Sequence, residues 1–286
     1  MTILEQGKRF IWRHGRLLER AVMAHLLEGE APGRVALALR AYQNLDGGLG
    51  HALEPDLRAP ESQPLYLEFG LRTLYDCGLR APDLAQGACI FLSQHADLEA
   101  GIPTLFPSAL AYDHAPHWEA PSAREPSLDR LISLVGLLNW QRIEHPWLER
   151  AVGACLAHLA RLPMEDAHTI QNGFCLLESV AETRDVSALF DRLADELTRA
   201  SFFLAEAPIS GYGLTPLHLA PTPDSYLRRL FGQEQIEAHL DDLLAQQQPD
   251  GGWPIAWEPP GETAALAWRA HRTLAALTTL RAYGRI

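Results

Sequence analysis

The chain has 286 residues, 47% hydrophobic and 21% charged, which is enough for a large buried core, and its abundance of Leu and Ala over Val and Ile favours helix over strand. A formal charge of −12, from 24 Lys and Arg against 36 Asp and Glu, excludes the broad basic field that nucleic-acid binding needs. No apolar run reaches the roughly 18 residues of a membrane span, and charges interrupt the first residues where a secretory signal would be apolar.

A cytoplasmic location is therefore expected, with Cys77, Cys89, Cys155 and Cys175 reduced and buried. Near the start, Lys8, Arg9, Arg13, Arg16 and Arg20 surround Phe10, Ile11, Leu17, Leu18 and Val22 at helical spacing, which reads as a solvated helix face. Apolar residues three and four apart then predict helices over 18–27, 35–42, 65–75, 84–92, 128–140, 147–162, 170–180, 186–204, 236–244 and 263–280. No alternating pattern predicts a strand. The expected class is all-α, a chain of helical hairpins.

Two stretches repeat. "QNLDGGLGHALEPDLRAPESQPLYLEFGLRTL" from Gln43 and "QQPDGGWPIAWEPPGETAALAWRAHRTLAAL" from Gln247 share Gln-x-x-Asp-Gly-Gly, a Glu-Pro pair and then an apolar helix. Weaker copies stand at "QHADLEAGIP" from Gln94 and "SGYGLTPLHLAP" from Ser210. The paired glycines allow a sharp turn, and the preceding Asp can accept backbone N–H groups within it. Ser62 and Thr263 are placed as helix caps. Because the repetition spans nearly the whole sequence, residues 1–286 are expected to form a single domain.

This pattern, carried by Gln43, Asp46, Gly47 and Gly48 and by Gln247, Asp250, Gly251, Gly252 and Trp253, resembles the QW-type repeat of the terpenoid cyclase and protein prenyltransferase superfamily. The resemblance implies an α/α toroid, with helical hairpins in two concentric layers around a central cavity. It implies an enzyme acting by acid catalysis on an isoprenoid or other apolar small molecule. The superfamily's own signatures are absent. The Asp-x-Asp-Asp acid motif is answered only by "LEPD", Asp241 and Asp242 lack the remainder of a diphosphate-binding motif, and Asp76 beside Cys77 is out of phase for a prenyltransferase zinc site.

The candidate catalytic residues are Asp56 and Glu54, with His51 placed to orient one of them, because neighbouring carboxylates in a cleft have their pKa values driven apart into acid and base. The alternative is that this loop only satisfies backbone donors. Tyr66, Phe69, Tyr212, Trp253 and Trp257 are the candidate substrate-binding walls, with Trp268 beside them; their faces suit a cation or a sugar, although core packing or loop anchoring is the commoner role of any one of them. His114 and His117 of "YDHAPHWE" offer imidazoles for a metal or simply hydrogen bonds in a loop, and no metal site is assigned to them. No cofactor is legible, and neither is an oligomeric state. Two other functions remain open: a non-catalytic toroid binding an apolar ligand or a protein, and a carbohydrate-active α/α barrel with carboxylates at glycosidase spacing.

Overall fold

The computed structural model describes residues 1–286 and contains twelve α-helices, four short 3₁₀ turns and no β-sheet. In chain order they are α1 (Ile3–His14), α2 (Leu17–Glu28), α3 (Gly33–Arg40), α4 (Pro64–Asp76), α5 (Pro82–His95), α6 (Leu128–Trp140), α7 (Pro146–Arg161), α8 (Ala167–Val180), α9 (Ser187–Leu197), α10 (Pro216–Leu219), α11 (Gln233–Ala245) and α12 (Glu262–Ala282). The all-helical expectation holds. No helix is long and apolar enough to cross a membrane.

The helices sort into two compact units, one built from Met1–Val35 with Thr198–Ile286 and the other from Ala36–Leu197. In the second unit α4 packs on α6 and α6 on α8, while α7 lies against α6 and α9 against α8. α6 and α8 are buried along most of their length, which is why their sequences are apolar nearly all round. In the first unit α1 and α2 pack on α12, and α11 joins α12 to α10.

Boundaries moved where tertiary hydrogen bonds overrode periodicity. The helix expected over 186–204 stops at Leu197, because Leu204 N–H bonds to the Leu214 carbonyl at 2.7 Å and pulls the following residues into extended chain. Ser62 does not cap α4; Gln63 occupies that position with Pro64 at the first turn, and the Ser62 hydroxyl donates to Asp46 at 2.7 Å instead. Thr263 lies inside α12, whose cap is Gly261.

The two Gly-Gly turns use the same bonds. Asp46 Oδ1 accepts the Gly48 N–H at 2.9 Å, and Asp250 Oδ1 accepts the Gly252 N–H at 3.0 Å. Gln43 Nε2 donates to the Gly47 carbonyl at 3.1 Å and reaches Leu84 O of α5 at 3.5 Å; Gln247 Nε2 donates to the Gly251 carbonyl and to Ile3 O of α1, both at 3.0 Å. Thus α1 stands to the last turn as α5 stands to the first. The parallel extends along both helices: Phe10 and His14 stack at 4.7 Å in α1, and Phe91 and His95 at 4.6 Å in α5. The following helices also match, since the Thr73 hydroxyl donates to Phe69 O at 2.8 Å and the Thr273 hydroxyl to Arg269 O at 2.7 Å, each within an Arg-Thr-Leu segment.

Glycine is required at these turns twice over. Gly47 and Gly251 have φ of 85° and 94°, and an added Cβ would stand 2.3 Å from the Gly87 carbonyl oxygen and 2.5 Å from the Gln6 carbonyl oxygen respectively. Gly47→Ala and Gly251→Ala should each destabilise the chain by about 2 kcal/mol or more, combining strain with displacement of a packed backbone. Gly29→Ala, at φ 74° with open space around it, should lose only about 1 kcal/mol. Urea midpoints of the three variants check the contrast.

Candidate functional site

The loop after the first Gly-Gly turn passes through His51 and Ala52, both in left-handed backbone at φ of 58° and 57°, before reaching Glu54 and Asp56. His51 is exposed, whereas Glu54 and Asp56 are 4% and 2% exposed. Glu54 Oε2 accepts the Asp56 N–H at 3.0 Å, and Asp56 O accepts the Ala115 N–H at 2.8 Å, which lashes the loop to the segment carrying His114. Tyr66 is fully buried and donates to the carbonyls of Leu57 at 2.9 Å and Ala59 at 3.1 Å. Burial, then the charge of Glu54, pushes its phenol pKa upward, so it stays a donor. Phe69 is half-buried.

Below this loop Arg130 of α6 forms an ion pair with Glu68 of α4, and its Nε donates to Thr104 Oγ1 at 3.2 Å. Burial lowers the Arg130 pKa to about 10, against the opposing pull of Glu54. The Glu54 carboxylate therefore holds loop backbone, and the Asp56 side chain is buried beside it. His114 Nδ1 lies 2.6 Å from the Tyr112 carbonyl, while the ring of His117 packs on Trp118 at 4.4 Å. No group of three or more His, Cys, Asp or Glu is arranged to hold a metal ion.

A second polar group lies on the facing sides of α4 and α8. Arg72 is half-buried, with its guanidinium 5.5 Å from the centre of the Tyr75 ring and hydrogen-bonded to the Cys175 side chain. Tyr75 donates a short hydrogen bond to Glu178, and its ring meets Trp140 edge-on at 5.1 Å. Asp76, the last residue of α4, is exposed although protein atoms surround it densely. Burial raises its carboxyl to about 6, against the pull of Arg72. Burial also raises Glu178, against Tyr75 and Arg72. One fixed cation, a carboxyl titrating near neutrality and a phenol–carboxyl pair are the components of general acid–base chemistry.

The remaining candidate aromatics belong to the unit of Met1–Val35 and Thr198–Ile286. Trp253 is 1% exposed; its indole donates to Leu243 O at 2.8 Å and its N–H to the Thr273 hydroxyl at 2.9 Å, so it anchors the last turn in the core. Tyr212 is 50% exposed, and Trp257 is half-buried against it with ring centres 6.1 Å apart.

Sequence reading passed over Arg72 and Glu178 and weighed Asp76 only against a prenyltransferase zinc site. One signal was available: Glu68, Arg72 and Asp76 recur four apart along a mostly apolar helix, where a charge survives only if it has a partner or solvent. Nothing linear connects them with Glu178, which lies about 100 residues further on in another helix.

No protein-family model matches the chain, and no curated protein matches it. Among solved structures it is similar to the crystal structure of a protein from Actinoplanes, with 18% sequence identity, a TM-score of 0.58 and coverage of 98% of each chain. At that identity the likeness establishes a shared fold and carries nothing about activity.

Folding lifts the Asp76 carboxyl from 3.8 to about 6, so between those values the folded chain holds a proton that the unfolded chain releases. This group's contribution is full below 3.8, falls as pH rises towards about 6, and is constant above. The stability difference between wild type and Asp76→Asn should therefore move in favour of the variant over that window; paired urea titrations at about pH 4 and pH 7 measure it.

Proposed function

We propose that the protein is an enzyme on an α/α-toroid scaffold of the terpenoid cyclase and prenyltransferase kind, acting by general acid catalysis on an amphiphilic substrate with an apolar, isoprenoid-like body. Asp76 is the acid, Arg72 holds the polar head, and Tyr75 with Trp140 forms the apolar wall. The observation that carries this reading is the grouping of Arg72, Tyr75, Trp140 and Glu178 on α4, α6 and α8, with the exposed Asp76 carboxyl one turn from Arg72 and raised to about 6. An acid of that strength suits proton transfer to a heteroatom leaving group near neutral pH rather than to an unactivated alkene. The repeated Gln-Asp-Gly-Gly turns, and α1 taking the place after the last turn that α5 takes after the first, support the toroid. Glu54 and Asp56 then serve the loop that positions α4.

A second reading, a non-catalytic binder of an apolar ligand, is favoured by one observation: Glu54, the candidate acid of the repeat loop, is engaged by a backbone N–H.

A thermal-shift screen with farnesyl diphosphate, farnesol, cellohexaose and magnesium separates these readings. Farnesyl diphosphate or farnesol should raise the melting temperature by about 2–4 °C when well above its dissociation constant, with smaller shifts in Arg72→Gln. Product analysis with the bound compound should then show turnover that falls about 100-fold or more in Asp76→Asn while binding persists. Unchanged turnover in that variant, or stabilisation by the oligosaccharide alone, would end the proposal; binding without any turnover selects the binder.

A further inference from the structure

The two Arg-Thr-Leu segments differ in what answers the arginine. Four residues after Arg72 comes Asp76, and four residues after Arg272 comes Ala276, which is 4% exposed and carries no charge. Arg272 is half-buried, and burial lowers its pKa. Its one polar contact is His218 Nε2, 2.6 Å from Nη1. His218 Nδ1 accepts the Thr215 N–H at 3.0 Å and lies 2.8 Å from the Thr215 hydroxyl, so the ring offers Arg272 no carboxylate charge. No ion pair joins Arg272 to a carboxylate; Glu19, which acts on the neighbouring His271, is 1% exposed and already bound by Arg16, with Nη2 to Oε1 at 2.6 Å and the Arg16 N–H to Oε2 at 2.8 Å. His271, between them in the electrostatics, is held neutral by burial, its pKa falling to about 4. Arg16 thus engages Glu19, and no carboxylate pairs with Arg272.

A half-buried cation without a counter-ion is costly, and a guanidinium fork with spare donors matches a carboxylate or phosphate. An aromatic strip leads to it. From Tyr212 the rings run to Trp257 at 6.1 Å, Trp268 at 5.1 Å and His271 at 5.5 Å, each pair nearly perpendicular, and His271 is the neighbour of Arg272 on α12. The strip begins in solvent, with Tyr212 50% exposed.

We propose that Arg272 and this strip form a binding site for a small oxyanion carrying a flat apolar or aromatic group. The anion takes the guanidinium, and the apolar body lies along Trp257 and Tyr212. The site lies wholly within the unit of Met1–Val35 and Thr198–Ile286, uses none of Arg72, Asp76 or Glu178, and stands whether or not the acid catalysis proposed for them does.

Calorimetric titration of the full chain with phenyl phosphate, phenylacetate and inorganic phosphate tests it, and the two phenyl compounds tell phosphate from carboxylate. One of the phenyl compounds should bind about tenfold or more tighter than inorganic phosphate; Arg272→Gln should weaken it about tenfold or more, with Arg272→Lys in between. Tyr212→Ala, a change at an exposed residue, should reduce the preference for the phenyl group while sparing inorganic phosphate, and it keeps the test decisive if Arg272→Gln fails to fold. Absence of binding by all three compounds, equal affinity in a folded Arg272→Gln, or an unchanged phenyl preference in Tyr212→Ala would overturn the proposal.

Discussion

Everything in the arrangement of these helices depends on a backbone touching a backbone where no Cβ can stand. At Gly47 the turn lies against Gly87 of α5, and at Gly251 it lies against Gln6 of α1, with the Asp two residues before Gly48 or Gly252 closing the turn and the Gln side chain stitching it to the neighbouring helix. Because both partners are main chain, neither can swing aside as a flexible side chain would. The contact sets the distance from turn to helix, and the next apolar helix inherits its starting point. Phe91 against Gly48 and Phe10 against Gly252 then fill the same place in each copy.

The same constraint explains how polar chemistry reaches otherwise apolar helices. Once α4 and α12 are enclosed, a charged residue on either must be paired, hydrated or answered by a ligand. Glu68 and Arg130 pair across α4 and α6; Arg72 bonds the Cys175 side chain; Glu19 is held by Arg16. The opening loop follows the paired pattern too, since Glu54 holds the Asp56 N–H and Tyr66 holds the carbonyls of Leu57 and Ala59. These groups specify a single loop conformation more than they offer a reactive surface. Asp76 differs, because solvent reaches it while protein crowds it, and Arg272 differs because no carboxylate answers it.

Comparison of the repeats locates these differences better than composition does. Where two copies share a residue, as at Thr73 and Thr273, the shared bond is a requirement of the turn and helix. Where they diverge, as at Asp76 and Ala276 or Glu68 and Trp268, each copy has been free to acquire its own chemistry. One copy carries an acid and a cation together, and the other carries a cation and an aromatic strip.

Helix content was legible from the sequence because it depends on local spacing: apolar residues three and four apart, with Gly and Pro between the runs, located the long helices to within a few residues. The repeat was legible as well, since the Gln and Asp of Gln-x-x-Asp-Gly-Gly close the turn on the motif's own glycines. Tertiary structure decided what no short window contains. It ended α9 before Ser201 by pairing Leu204 with Leu214, moved Ser62 from a helix cap to Asp46, buried Trp253 as an anchor, and brought Tyr75 to Glu178 across about 100 residues. Periodicity reports which face of a helix is apolar, but the partner of a buried charge is chosen by packing between elements, and that choice exists only once the chain has folded.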